Sequence, residues 1–297
     1  MRILLPVVSF HYLTGSELYV YELARELIRR GHDVTVAAFR VGGALAGPAA
    51  AAGIHAYTFG DARVCGGPPF DIIHSSEPDP TAWALRTHPD TPIVCSIHSQ
   101  YPCEAPVKNP RIKHYICIRP EVQRKLIEVD QIPPALTSVI YNPVDMSRFK
   151  PEQEAPRERK RILFVGTMDI LRKATILDLI RRTGNENFDL RLVGLRADNY
   201  QQAGAYIDRL PPRVTWHDQV WDIERHIHEC DQTAGILLGR TTLEGWACNK
   251  PCWIYDIGLN GEIKSYNLHA PPADMTPFDS IRVVDQFEAL YRRFCRR

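Results

Sequence analysis

Glu244 lies in the run Leu237-Leu238-Gly239-Arg240-Thr241-Thr242-Leu243-Glu244-Gly245-Trp246-Ala247-Cys248-Asn249-Lys250-Pro251, which gathers an acid, a base and two hydroxyls just after a glycine. A carboxylate about one turn into a helix can accept two hydroxyls of a ribose. The apolar stretch Ala234 to Leu238 predicts a buried strand, Gly239 breaks it, and Thr241 or Thr242 can cap the helix that follows. That helix is expected to end at Asn249, with Cys252 to Tyr255 as the next strand. A strand, a glycine turn and a helix start together make an anion site from backbone N–H groups. Arg240 adds positive charge there. The same residues also fit an ordinary βα unit with a surface acid.

Four other places repeat this combination of strand end and polar residue. Gly15 and Ser16 open an amphipathic helix, Ser16 to Arg30, and a glycine there lets the backbone approach an anion closely. No Gly-x-Gly-x-x-Gly spacing accompanies them, so a dinucleotide site is not indicated. Gly166 ends the apolar run from Arg161, and Arg172 and Lys173 follow in its loop, either as anion ligands or as a solvated basic pair. His98 ends the run Ile93 to Ile97 and His74 ends another; each suits either a hydrogen bond to a hydroxyl or a structural role. His226 and His228, two apart on an expected helix, face different ways and make a poor metal pair.

Strand-like and helical patterns alternate throughout, which implies parallel strands joined by right-handed crossovers. Strands are expected at Arg2–Val8, Val34–Phe39, Ile54–Tyr57, Asp71–His74, Ile93–Ile97, Tyr115–Ile118 and Ser138–Tyr141. A proline- and charge-rich stretch, Pro143 to Lys160, reads as a linker. The pattern restarts at Arg161–Val165, Asp189–Val193, Val214–Trp216, Ala234–Leu238, Cys252–Tyr255 and Ile281–Val284. The expected architecture is α/β: two Rossmann-like domains, 1–150 and 151–297, with parallel sheets facing a central cleft. Ligands of such sheets bind beyond the carboxyl ends of the strands.

Composition excludes several classes. The 297 residues carry 36 Lys plus Arg against 35 Asp plus Glu, so no basic field points to nucleic acid. No apolar run approaches the roughly 20 residues of a membrane span, and Met1 to Val8 reads as a strand rather than a signal peptide. Eight scattered cysteines without a Cys-x-x-Cys pair suit a reducing, cytoplasmic setting. Peripheral association with a membrane stays open.

The segment around Glu244 resembles the nucleotide-sugar site of retaining glycosyltransferases of family 4, which have the GT-B fold. Four more segments match in order: Thr14-Gly15-Ser16-Glu17 with Arg29-Arg30-Gly31-His32, Val139 to Asp145, Ile162 to Asp169, and Asp256 to Ile263. The resemblance implies transfer of a sugar from a nucleoside diphosphate sugar, UDP- or GDP-linked, to a hydroxyl acceptor with retention of anomeric configuration. Breaking that glycosidic bond builds negative charge on the diphosphate, which must meet positive charge. No two aspartates stand two residues apart, so the metal-binding Asp-x-Asp of other transferases is absent. A metal-independent site is therefore expected, with no cofactor.

Residue by residue, the resemblance implies that Gly15, Ser16, Gly166, Thr241, Thr242 and Glu244 bind the donor. His98, Arg172 and Lys173 take its catalytic positions, and Arg240 is expected to replace a missing charge. The sequence also departs from its relatives. Thr167 stands where they usually have arginine, Arg119 where they have serine, and Pro143 where they often have glycine. Of the paired glutamates that mark the family, Glu244 matches the second, but Ile236 occupies the place of the first. That departure keeps two alternatives open, a nucleotide-sugar-binding protein with weakened catalysis and another GT-B enzyme such as an epimerase.

Overall fold

A computed structural model describes residues 1–152, 157–197 and 204–295. The chain forms two compact units, one of Met1–Tyr12, Ser16–Pro143 and Pro277–Arg297, the other of Leu13–Gly15 and Val144–Thr276.

In the first unit the order is β1 (Arg2–Phe10), α1 (Gly15–Arg29), β2 (Asp33–Val41), α2 (Ala46–Ala51), β3 (His55–Thr58), α3 (Ala62–Cys65), β4 (Ile72–Ser75) and α4 (Pro78–Thr87). There follow β5 (Ile93–Ile97), β6 (Ile112–Cys117), α5 (Pro120–Glu128) and β7 (Thr137–Val139). The strands form one parallel sheet, ordered β3-β2-β1-β4-β5-β6-β7. Reversal of order beside β1 is a topological switch point, the usual place for a ligand. Leu4, Ile73, Ile93, Cys95 and Ile112 lie in one buried cluster of this unit. All eight cysteines are free thiols and five are buried, packing as small apolar groups.

The second unit runs β8 (Arg161–Val165), α6 (Lys173–Asn185), β9 (Asp189–Val193), β10 (Val214–His217), α7 (Ile223–His228), β11 (Gln232–Ile236), α8 (Arg240–Ala247), β12 (Cys252–Ile257) and β13 (Ile263–His269). Its sheet order is β10-β9-β8-β11-β12-β13. All pairs are parallel except β12 with β13, so this sheet is mixed rather than wholly parallel. Nothing in the sequence pattern marks β13, because it is an exposed edge strand without a buried face. It is held by side chains: Tyr266 stacks on Tyr255 at 4.9 Å, and the Arg182 guanidinium lies 4.1 Å from the Trp253 ring and 4.8 Å from that of Tyr266.

Three further expectations change. Residues 281–284 are not a strand; they belong to helix α9 (Ser280–Phe294), capped by the Asp279 carboxylate accepting from Ile281 N–H at 3.1 Å. Val283, Val284, Phe287, Leu290 and Tyr291 bury one stripe of that helix, a helical period the short β-branched run disguised. The helix belongs to the first unit, not the second: the Arg30 guanidinium reaches Asp285 and Glu288 at 2.7 Å, and Tyr291 hydroxyl meets His74 Nδ1 at 2.6 Å. Finally, β11 ends at Ile236, not Leu238, since Leu237 turns into a left-handed conformation with φ of 50°. Of the expected linker, residues 153–156 lie outside the described residues.

Candidate functional site

In the second unit, β8, β9 and β11 bring their carboxyl ends together. Gly166 N–H donates to Val193 carbonyl at 3.0 Å, and beside it Gly194 adopts φ of 149°. A Cβ on Gly194 would stand 2.0 Å from the Gly166 carbonyl oxygen, so only glycine fits. After Gly166 the loop closes on Asp169. Its carboxylate accepts from Arg172 N–H at 2.9 Å and pairs with the Arg172 guanidinium. Arg172 thus lies folded over Gly166, where a Cβ would stand 3.2 Å from the arginine side chain. Lys173 is the first residue of α6, with its ammonium 6.0 Å from the Tyr206 ring centroid. Among the described residues Lys173 pairs with no carboxylate, so its charge is available to an anion.

Helix α8 begins directly after Gly239, whose extended backbone makes it the N-cap; no side chain caps this helix. The expected capping threonines do something else. Thr241 hydroxyl donates to Val165 carbonyl at 3.1 Å and Thr242 hydroxyl to Leu237 carbonyl at 2.9 Å. Both bonds fasten the first turn to the strand ends, and the helix start keeps its backbone N–H groups for a ligand. The body of α8 lies close on β11: a Cβ on Gly245 would meet Thr233 Oγ1 at 2.4 Å. Glu244 is 3% exposed, and its Oε1 sits 2.6 Å from Arg240 Nε. Ile236, at the first-glutamate position, has an aliphatic side chain; its carbonyl accepts from Gly239 N–H at 3.2 Å.

In the first unit, His98 directly follows β5, and the Tyr19 ring stands edge-on to it with centroids 4.6 Å apart. His98 Nε2 is buried and finds no hydrogen-bond partner among the described residues. Burial holds the His98 imidazole below its ordinary pKa, so the ring is neutral, with one N–H to donate. His74 differs. Its Nδ1 meets Tyr291 hydroxyl and its Nε2 meets Ser96 hydroxyl, each at 2.6 Å, and burial pushes its pKa down to about 3. With both nitrogens engaged, His74 is structural.

Two carboxylates near α1 escaped the sequence reading. Glu17 accepts from His11 and Tyr12 N–H at 3.1 Å each, fixing the loop into α1. The spacing Thr14-x-x-Glu17 is that of a capping box, which carried the signal. Glu77 accepts from Val8 N–H at 2.6 Å, and burial, helped by the charges of Glu104 and Glu17, pushes its carboxyl up to about 7. No sequence pattern announces that. A Cβ on Gly15 would meet nothing within 4 Å, so packing does not require glycine there. Ser16 hydroxyl lies beside Glu77.

Among the described residues no group of three or more His, Cys, Asp or Glu is arranged to hold a metal ion, and no helix is long and apolar enough to cross a membrane.

Residues 13–148 match the sequence model of the family described as Glycosyltransferase Family 4. Over that stretch, a little under half of its length, the chain is similar to this family. The chain's two Rossmann-like units match solved glycosyltransferase structures in fold. A glycosyltransferase of Rickettsia africae is 15% identical, with a TM-score of 0.73 over 99% of this chain and 98% of that one. Anabaena HepE, solved in complex with UDP-glucose, is 17% identical, with a TM-score of 0.74 over 99% and 95%. A glycosyltransferase involved in avilamycin A biosynthesis is 17% identical, with a TM-score of 0.67 over 99% and 98%. At these identities the likeness is one of fold. No curated protein matches this chain in sequence.

Proposed function

We propose that this glycosyltransferase takes a nucleoside diphosphate sugar, of the UDP-glucose kind bound by Anabaena HepE, and passes the sugar to a hydroxyl acceptor with retention and without a metal. The observation that carries the reading is the join between α8 and β8. Thr241 ties the helix start to Val165, next to Gly166, with Glu244 one turn further in and Lys173 opening α6. A diphosphate would lie on the first-turn N–H groups of α8, and the ribose hydroxyls on Glu244. Gly166 and Thr242 line the donor's backbone contacts in this reading.

As the glycosidic bond breaks, negative charge grows on the leaving phosphate. Lys173 and Arg172, with the helix start, supply the opposing charge. Asp169 tempers Arg172, which leaves Lys173 the stronger contributor. The acceptor hydroxyl attacks from the face the phosphate leaves and gives its proton to that phosphate, so no side-chain base is needed. Neutral His98 donates its N–H to a sugar hydroxyl.

Ile236 favours a second reading, a protein that binds the donor without transfer, since no carboxylate stands at that position. A thermal-shift screen of nucleoside diphosphates and their sugars, followed by assay of donor consumption with hydroxyl acceptors, separates the two. Stabilisation by one nucleotide series plus acceptor-dependent release of its diphosphate supports transfer. Stabilisation without release supports the binding protein, conversion of the donor alone supports an epimerase, and no stabilisation opposes all three.

A further inference from the structure

Arg240 and Glu244 are the most buried ion pair of the second unit's site, with side chains 10% and 4% exposed and 2.6 Å between Nε and Oε1. They stand four residues apart on α8, so both point from one helix face. The helix itself is fixed by Thr241 on Val165, Thr242 on Leu237 and Gly245 against Thr233. An isolated carboxylate at such depth is costly to keep charged, and a guanidinium in contact supplies the counter-charge. The contact is an ion pair, and a carboxylate has four lone pairs, so Glu244 can be held by Arg240 and still accept from hydroxyls. A guanidinium engaged in this way has little charge left for a diphosphate.

We propose that Arg240 is a positioning residue, which holds the Glu244 carboxylate ionised and oriented for the two ribose hydroxyls and acts on the nucleotide only through it. The inference rests on the reading that Glu244 takes the ribose. It assigns Arg240 to recognition of the sugar of the nucleotide rather than to its leaving phosphate.

The test uses calorimetric titration of UDP and of 2′,3′-dideoxy-UDP into the full chain. Wild type should prefer UDP by about tenfold or more, because only UDP offers hydroxyls to Glu244. Arg240→Met should erase most of that preference while leaving 2′,3′-dideoxy-UDP affinity within about twofold, which also shows that the variant is folded. Arg240→Lys should recover part of the preference. In a Glu244→Gln background, Arg240→Met should change neither affinity further; this pair stays informative where a lone buried carboxylate unfolds the single variant. Equal loss for both nucleotides in Arg240→Met would assign Arg240 to the phosphates and overturn the inference alone, as would an unchanged preference. A wild-type chain that binds both equally, or binds neither, overturns the ribose reading of Glu244 and the inference with it.

Discussion

Thr241 hydroxyl donates to the carbonyl of Val165 at 3.1 Å, and that single bond joins the start of α8 to the end of β8. It fixes the distance between two backbone turns, one after Gly166 and one after Gly239, that a diphosphate would touch. Thr241→Val keeps the shape and removes the donor, leaving the Val165 carbonyl without it. Such a loss costs about 1 kcal/mol in stability. UDP affinity, measured by calorimetry, should fall about three- to tenfold, whereas the same change at exposed Thr276 should leave it unaltered.

Glu77 gives a pH signature. Its carboxyl is raised from 4.5 to about 7, so the folded chain favours the protonated form. The stability this contributes is complete below about 4.5 and is lost as pH rises through about 7. Glu77→Gln keeps an acceptor for Val8 N–H without the charge. In urea melts the variant should gain on wild type progressively from pH 4.5 to pH 8, by at most about 3 kcal/mol. His74 works in the opposite direction, because its pKa is held down to about 3 and protonation costs stability as pH falls below 6.5. That cost is shared by both proteins and cancels in their difference. A gap that does not change with pH would contradict the assignment.

His98 and His74 should separate cleanly on mutation. His98→Ala removes a neutral ring whose Nε2 finds no hydrogen-bond partner among the described residues, so kcat/KM should fall about tenfold with a melting temperature close to wild type. His74→Ala breaks the bonds to Tyr291 and Ser96 and empties a buried site. It should cost about 2–4 kcal/mol of stability, read by denaturant titration, before activity is considered.

Arg182 is the stability counterpart in the second unit. It stacks on Trp253 and Tyr266, donates to Tyr255 hydroxyl at 2.9 Å and pairs with Glu186 at 2.7 Å. Arg182→Ala should destabilise by about 3 kcal/mol, and Arg182→Lys should recover little, since lysine lacks the planar fork. Amide exchange should show β13 loosening first.

How much of this was legible in the sequence differs by element. Strands such as 93–97 and 161–165 stand where their apolar runs put them, because a strand buried on both faces leaves an unbroken signature; 189–193 shows instead an alternation of apolar and polar residues. β13 left none, since Arg182 and Tyr255 hold it from the side and its faces stay exposed. Residues 281–284 misled because three β-branched residues among four positions cannot distinguish periods of 2 and 3.6. In the site, glycines and their spacing located the turns. What the threonines, Arg240 and Asp169 do depends on which side chain reaches which carbonyl or carboxylate, and spacing along the chain does not carry that.

In the proposed function the second unit binds a nucleoside diphosphate through Glu244 without a metal. The most direct test is calorimetric titration of UDP into wild type and Glu244→Gln, each with and without EDTA. Chelation should leave wild-type affinity unchanged, and Glu244→Gln should weaken it by about one to two orders of magnitude, the worth of a charged hydrogen bond to the ribose. Affinity lost on adding EDTA, or a Glu244→Gln protein that binds UDP as tightly as wild type, would contradict the proposed function.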